Sequence, residues 1–400
     1  MNSRIGHWFE LASWLLICLV TLSTLNLVSL QEGWRLGLLW GTLFLLWVVS
    51  KLARKPTAGL YLVAILGGIG SVFLLRLDPS YFVNQLNGWL VGSLLFILAL
   101  FIDWEKVRYT WFFGFLSLGL TLWTLILGYE VQGAKAWISI GPFSFQPIEV
   151  TKVLLTLFLV NFLYQNRLEI SKKSGIELVK VLAPALLLFF IIFGLLVLQR
   201  DLGPGLILFM VLCTLMFYIV KRVSLLILAI GLALGGGAAA ALLFPHFKMR
   251  ILAWLWPWDN AYDSGFQILQ GMFALNNGGI FGVGLGEGLG TQIPAIHTDY
   301  LFALIGEEMG FLGASVVLMS FFLLVCWSLT IAKRLKNIRG QWIAIGISLV
   351  WVYQVFFVVG GIIRLVPFSG MTLPFVSYGS SSLIANMLMI GIITSLGKVH

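Results

Sequence analysis

Residues 245–299 read PHFKMRILAWLWPWDNAYDSGFQILQGMFALNNGGIFGVGLGEGLGTQIPAIHTD, a long polar interruption in a chain that is otherwise lipid-soluble. Two of the four histidines lie here, with Asp259, Asp263, Glu287 and Asp299 beside Lys248 and Arg250. Nine glycines from Gly265 to Gly290 make the stretch bend rather than span. A connection of this length without structure of its own is functional or disordered, and its tryptophans and phenylalanines argue against disorder. The stretch is read as the outer loop that carries the site.

Around it, 60% of the 400 residues are hydrophobic and only 10% are charged. A soluble surface cannot be covered by so few charges, so the fold class is an all-α polytopic membrane protein. Apolar runs of helix-spanning length fall near 11–30, 36–50, 59–76, 88–102, 108–128, 150–165, 180–198, 204–220, 223–244, 300–332, 342–363 and 380–397. That predicts about twelve transmembrane helices, with the large outer loop between the ninth and tenth and both termini on one side. With that side cytoplasmic, 17 of the 25 Lys and Arg residues face inward, among them Arg4, Lys51, Lys106, Lys172, Lys221, Lys333 and Lys398. The remaining eight, including Arg35, Lys135, Arg200 and Arg250, face outward. Positive residues favour the cytoplasmic side, so residues 245–299 are expected outside a plasma membrane. The net charge of +9 is thus accounted for by topology and anionic lipid headgroups, not by nucleic acid.

The first apolar segment follows Arg4 like a signal sequence, yet it is too long and lacks a small-residue cleavage site. It is read as a retained helix, joined to the second by a polar turn at Gln31–Arg35. Cys18, Cys213 and Cys326 are far apart inside apolar runs, which suggests small core residues rather than a zinc site or disulfide framework. A glycine-rich third helix carries Gly68 and Gly70, where backbones can pack closely. Residues 165–180 read as a solvated, mixed-charge inner segment.

Further stretches carry polar chemistry. Glu130–Lys152 contains a compact outer loop with Gly133, Lys135, Trp137 and Gly141, followed by Pro147 at a helix start. Glu149 and Lys152 stand three apart on one helix face; a capped helix entrance and a functional pair are both compatible with that pattern. Gln199–Asp201 forms a polar outer turn. Arg364 opens RLVPFSGMTLPFVSYGSSSL, whose two prolines and serine run imply non-helical backbone at the outer face, tolerated where it is buried in protein or lines a wet cavity.

The glycine string 278–290 never satisfies G-x-G-x-x-G, although its amides could still face a pyrophosphate. His246 and His297 lack metal-ligand spacing, and a structural, hydrogen-bonded histidine is the simpler reading. Asp299 precedes a long apolar helix, either as its N-cap or as an ionised base beside the outer loop.

GAKAWISIG-x-FSFQPIEVTK, QRDLGPGLILF, PAIHTDYLFALIGEEMG and PFSGMTLPFVSYGSSSL together resemble the signatures of the SEDS family, the shape, elongation, division and sporulation proteins. The resemblance covers about residues 59–397. It implies a ten-helix core (57–400) that polymerises lipid II into glycan strands, releases a polyprenyl pyrophosphate and works with a class B penicillin-binding protein. Residues 1–56 would then be two added helices. Asp299 matches the family's catalytic carboxylate. The implied substrate-binding set is Lys135, Trp137, Gln146, Glu149, Lys152, Arg250, Gln267, His297, Arg364, Ser377 and Ser381. No organic cofactor is expected; a divalent cation (Mg or Mn) could assist. Ile148, Ala136, Ser369 and Ser380 depart from the family pattern and bear on subfamily more than on chemistry. A lipid II flippase, or a non-catalytic scaffold for the penicillin-binding protein, is the alternative.

Overall fold

The computed structural model describes residues 30–397, apart from 132, 142, 224–226, 228–230, 232–234, 237–244 and 264. Nine described helices are long and apolar enough to cross a membrane, and a shorter apolar one spans Ser380–Leu396. These match ten of the twelve expected spans. The other two, near 11–30 and 223–244, lie largely outside the described residues. The chain is a multi-pass membrane protein.

The described residues form two compact units. One comprises those up to Ile102, Arg250–Thr330 and those from Gln354 on; the other comprises Asp103–Met249 and Ile331–Tyr353.

The first unit begins with α1 (Leu30–Leu52), α2 (Ala58–Leu77) and α3 (Pro79–Phe101). The polar turn expected at Gln31–Arg35 is helical and belongs to α1. Leu36, Leu39, Leu43 and Leu46 give α1 a buried stripe at helical spacing. Trp40 covers Gly68, where a side chain would begin 2.7 Å from the indole. Trp47 Nε1 donates to the Tyr61 hydroxyl at 2.6 Å, so the added helix is docked on α2 by two tryptophans. The last helix, α13 (Ser380–Leu396), lies along α3. Gly88 and Gly92 leave room for Ser380 and Met387 at 2.9 and 3.0 Å from where their side chains would start. Small residues four apart allow such close approach in lipid.

In the second unit, α4 (Thr110–Leu127) packs on α5 (Pro147–Gln165), beside α7 (Gly175–Leu198) and α8 (Leu202–Val220), with a short α6 (Arg167–Lys172) between α5 and α7. α5 is buried along nearly its whole length. α4 is two-faced: Ser117, Thr121 and Thr124 point inward, while Phe112, Phe115 and Ile126 are exposed where lipid would lie. The outer loop expected at Gly133–Gly141 is instead a three-stranded antiparallel sheet of β1 (Tyr129–Val131), β2 (Ala134–Ile140) and β3 (Phe143–Phe145). Ala136 and Ile138 are buried while Lys135 and Trp137 are only half-buried, the alternation of a strand with one covered face.

Residues 245–299 are also more regular than expected. Proline-led α9 (Pro245–Leu255) and α10 (Phe266–Gly278) account for much of the stretch, leaving the glycine run 279–290 as the true loop. After it comes α11 (Leu301–Arg334), then α12 (Ile338–Ile362). α11 is broken at Gly310 (φ 67°, ψ −169°). Phe311 and Leu312 donate not to their own helix but to the carbonyls of Gly279 and Ile280, at 2.9 and 3.2 Å. The carbonyls of Glu307 and Glu308 accept from Val283 and Gly284 at 3.0 and 3.2 Å. The glycine loop thus satisfies the backbone groups that the break releases, which a membrane-embedded helix requires.

A side chain at Gly310 would meet the backbone of Ile280 and Gly282, and would also carry the left-handed strain. Gly279 has a similar positive φ (52°) with open space around it. Gly279→Ala is expected to cost about 1–3 kcal/mol, the positive-φ backbone strain alone, and Gly310→Ala clearly more. Thermal unfolding in detergent checks this; equal melting temperatures would remove the bridged break from the account.

Candidate active site

Asp299 sits at the head of the short half-helix that runs from Leu301 to the break at Gly310. It is 6% exposed. Its own amide donates to Ala295, and no first-turn amide of α11 donates to its carboxylate among the described residues, so it does not act as a helix cap. The carboxylate shares its surroundings with Arg250 of α9: a side chain begun at Gly370 would lie 3.8 Å from Asp299 Oδ2 and 3.7 Å from Arg250 Nη2. Burial pushes the Asp299 carboxyl up to about 6, opposed by the Thr298 hydroxyl and the Arg250 charge. The sequence suggested a group kept ionised by outer-loop solvent and the helix start; the structure replaces solvent with one guanidinium and one hydroxyl. A base whose carboxyl is raised toward neutrality, yet ionised in most copies at pH 7, suits proton abstraction.

The supports around it come from the same unit. Tyr300 is fully buried, its ring 4.8 Å from that of Phe368, and α10 approaches it closely at Gly271. Gln267 Nε2 donates to the Pro294 carbonyl at 2.8 Å, fastening α10 to the segment before Asp299. His297 stacks on Tyr81 at 4.2 Å with 8° between the rings. Tyr378 lies 5.7 Å from His297 and 5.2 Å from Tyr81, closing a cluster of three rings, and donates its amide to the His297 carbonyl at 2.8 Å. Burial lowers the His297 pKa, favouring neutral imidazole. Ser377 Oγ accepts from the Leu373 amide at 3.1 Å, and Ser381 is buried at the start of α13. Ser377 lies in a turn just before α13 that is held by Gln85, whose Nε2 donates to Ser377 O at 3.1 Å and whose Oε1 accepts from Gly379 at 3.0 Å.

Two sequence readings change here. Arg364 is occupied: its Nε and Nη2 donate to the carbonyls of Trp254 and Leu255 at 2.8 and 2.9 Å, satisfying the C-terminus of α9. Two of its donors thus serve the helix end. Several amides of the glycine string, which could have faced a pyrophosphate, have partners within the chain. Glu307 accepts from Leu289 at 3.1 Å, Gly290 at 2.7 Å and Asn277 Nδ2 at 2.9 Å. Glu308 accepts from Gly286 at 3.0 Å and pairs with Arg76. The two carboxylates thus take three amides of the string. Neither glutamate, nor Arg76, Gln85 or Gly370, was singled out from the sequence, although two acids inside an apolar span are themselves a signal.

The second unit holds the other candidates. Lys152 Nζ lies 2.9 Å from Glu149 Oε2, and both side chains are buried in the first two turns of α5. The plain helix-entrance reading does not account for full burial of both charges. Gln146 reaches Asp201 at 3.5 Å. The Lys135 amide donates to Gln199 O at 2.9 Å, tying β2 to the QRD turn, and Trp137 pairs with Tyr129 in register. No group of three His, Cys, Asp or Glu residues among the described residues is arranged to hold a metal ion. A protein cage for a divalent ion is therefore not found among the described residues, while an ion held by one carboxylate and substrate phosphates needs none.

The chain as a whole is similar to known proteins. The chain matches the FtsW/RodA/SpoVE family of cell cycle proteins over residues 56–400. It is 33% identical to the probable peptidoglycan glycosyltransferase FtsW of Coxiella burnetii, covering 87% of this chain and 94% of that one. It is 32% identical to the peptidoglycan glycosyltransferase RodA of Mycobacterium tuberculosis, covering 83% and 75%. A chain solved in a peptidoglycan synthase complex that coordinates polymerisation and crosslinking superposes with a TM-score of 0.71 at 28% identity, covering 85% of this chain and 96% of that chain.

The buried pair of α5 can be tested directly. Removing one partner of such a pair strands the other charge, at a cost of roughly 3–5 kcal/mol. Lys152→Met should therefore melt far below wild type, while Glu149→Gln with Lys152→Met should regain most of the loss. A single variant no less stable than the double variant would contradict the pairing.

Proposed function

Because the chain belongs to the FtsW/RodA/SpoVE family, we propose that it is a peptidoglycan glycosyltransferase that polymerises lipid II, with Asp299 as its general base. The observation that carries the assignment of the base is the buried carboxylate, pushed up to about 6, beside the Arg250 guanidinium. Neither group is consumed in holding the fold: Asp299 caps no helix, and Arg250 stands in its neighbourhood, half-exposed in the middle of α9.

In the proposed step, a sugar hydroxyl of the acceptor gives its proton to Asp299 as its oxygen bonds to the anomeric carbon of the donor. The bond from that carbon to the diphosphate oxygen breaks, and the polyprenyl diphosphate leaves with the electron pair. Diphosphate is a good leaving group, so one base suffices where a glycosidase needs an acid as well. Arg250 faces the charge that develops on the diphosphate. The match to a synthase complex that joins polymerisation to crosslinking supports a crosslinking partner, which we assign to the class B penicillin-binding proteins. The charge asymmetry supports cytoplasmic termini and an outward-facing site.

Asp299→Asn keeps the shape and removes the proton acceptor. Purified in detergent and given lipid II, it should polymerise about 10²–10⁴-fold more slowly than wild type, the range for a lost base. Asp263→Asn and Glu287→Gln should change little. Near-normal glycan synthesis by Asp299→Asn would reject the base, and translocation of lipid II without polymer in the wild type would favour a flippase. For topology, a reporter fused after Lys336 should be cytoplasmic and one inserted near Gly288 outside; the reverse would overturn the orientation.

A further inference from the structure

Gly370 borders both Asp299 and Arg250 without offering a side chain to either. A Cβ there would stand 3.7 Å from Arg250 Nη2 and 3.8 Å from Asp299 Oδ2, in the space flanked by the two charged groups. Gly370 itself is exposed, while Asp299, which it borders, is buried. Its backbone is held from both directions. Phe368 rests on the Tyr300 ring at 4.8 Å, and its Cα lies 3.3 Å from where a side chain at Gly361 would begin. Ser369 Oγ reaches the Phe357 carbonyl at 3.4 Å. Gln354 Nε2 donates to the Thr372 carbonyl at 2.9 Å. A chain pinned at 368, 369 and 372 has little freedom to recede from the site, so any atom added at 370 projects into it.

We infer that Gly370 is a specificity-determining position for the transfer: its bare Cα keeps open the clearance through which the acceptor hydroxyl reaches Asp299 beside Arg250. This rests on the reading of Asp299 as the base. The competing explanation is conformational, since φ at Gly370 is +67° and glycine is the residue that adopts it freely. The two explanations order the same substitutions oppositely. Asparagine enters the left-handed region more readily than alanine, yet it fills far more space.

The experiment measures kcat and KM for lipid II polymerisation, together with thermal stability, in Gly370→Ala and Gly370→Asn, with Asp299→Asn alongside. A displacement of about 1 Å at a reacting centre costs on the order of 100-fold. Clearance therefore predicts a loss of about 10-fold for alanine and about 100-fold or more for asparagine, although asparagine melts at or above alanine. Asparagine equal to or better than alanine in kcat/KM would show that conformation alone requires the glycine, and would overturn the inference. Failure of the underlying base is read separately, from an Asp299→Asn variant that stays active.

Discussion

A helix cannot break inside a bilayer unless the backbone groups it releases find partners within the protein, and much of the first unit is arranged around one such break. At Gly310 the α11 backbone turns out of helical geometry, and the glycine loop pairs with it in both directions. Glu307 and Glu308, adjacent in sequence and both buried, fasten that loop through four contacts to amides and to Asn277, with Arg76 balancing one charge. The dense glycine content of residues 278–290 follows from this. Side chains at Gly288 or Gly290 would begin within 3 Å of the two carboxylate groups. The outcome is a short, separately held half-helix with Asp299 at its head.

Holding that aspartate out of water is unfavourable for the fold. A carboxyl whose pKa rises from 3.8 to about 6 on folding opposes folding at neutral pH by roughly 3 kcal/mol. The sign follows from proton binding. The protonated group is no burden below about pH 4, the burden grows as pH rises between the unfolded and folded pKa values, and it is complete above about 6. Arg250 and the Thr298 hydroxyl offset part of the desolvation but not all of it. Proteins tolerate such a cost where the group does chemistry. The buried Glu149–Lys152 pair of the second unit differs in kind, because there each charge has an opposite partner at 2.9 Å.

Much of this could be read from the residues. Sparse charge and long apolar runs dictate the helices, and ten of the expected twelve spans are among the described residues. Asp299 stood out as a carboxylate between a polar stretch and an apolar helix. Two features hid in plain view: the alternation Lys135–Ser139 is a strand signal masked by the flanking glycines and Pro142, and the prolines and glycines of 245–278 disguise two short helices. What sequence spacing could not show was pairing at a distance. The donors of Arg364 go to the end of a helix over a hundred positions earlier, and Glu307 meets its loop from 17 residues downstream. Gly370 comes to Asp299 from 71 positions away, where no periodicity reaches.

Everything proposed for the reaction depends on Asp299 working as a base that titrates just below neutrality. The most direct measurement is the pH dependence of the lipid II polymerisation rate at saturating substrate, with wild-type protein shown to stay folded from pH 5 to 8. The rate should climb about tenfold per pH unit below about 6 and level off above it, as the buried carboxyl gives up its proton. A rate that is flat between pH 5 and 7 would contradict the account, since the group that accepts the proton would then not be this one.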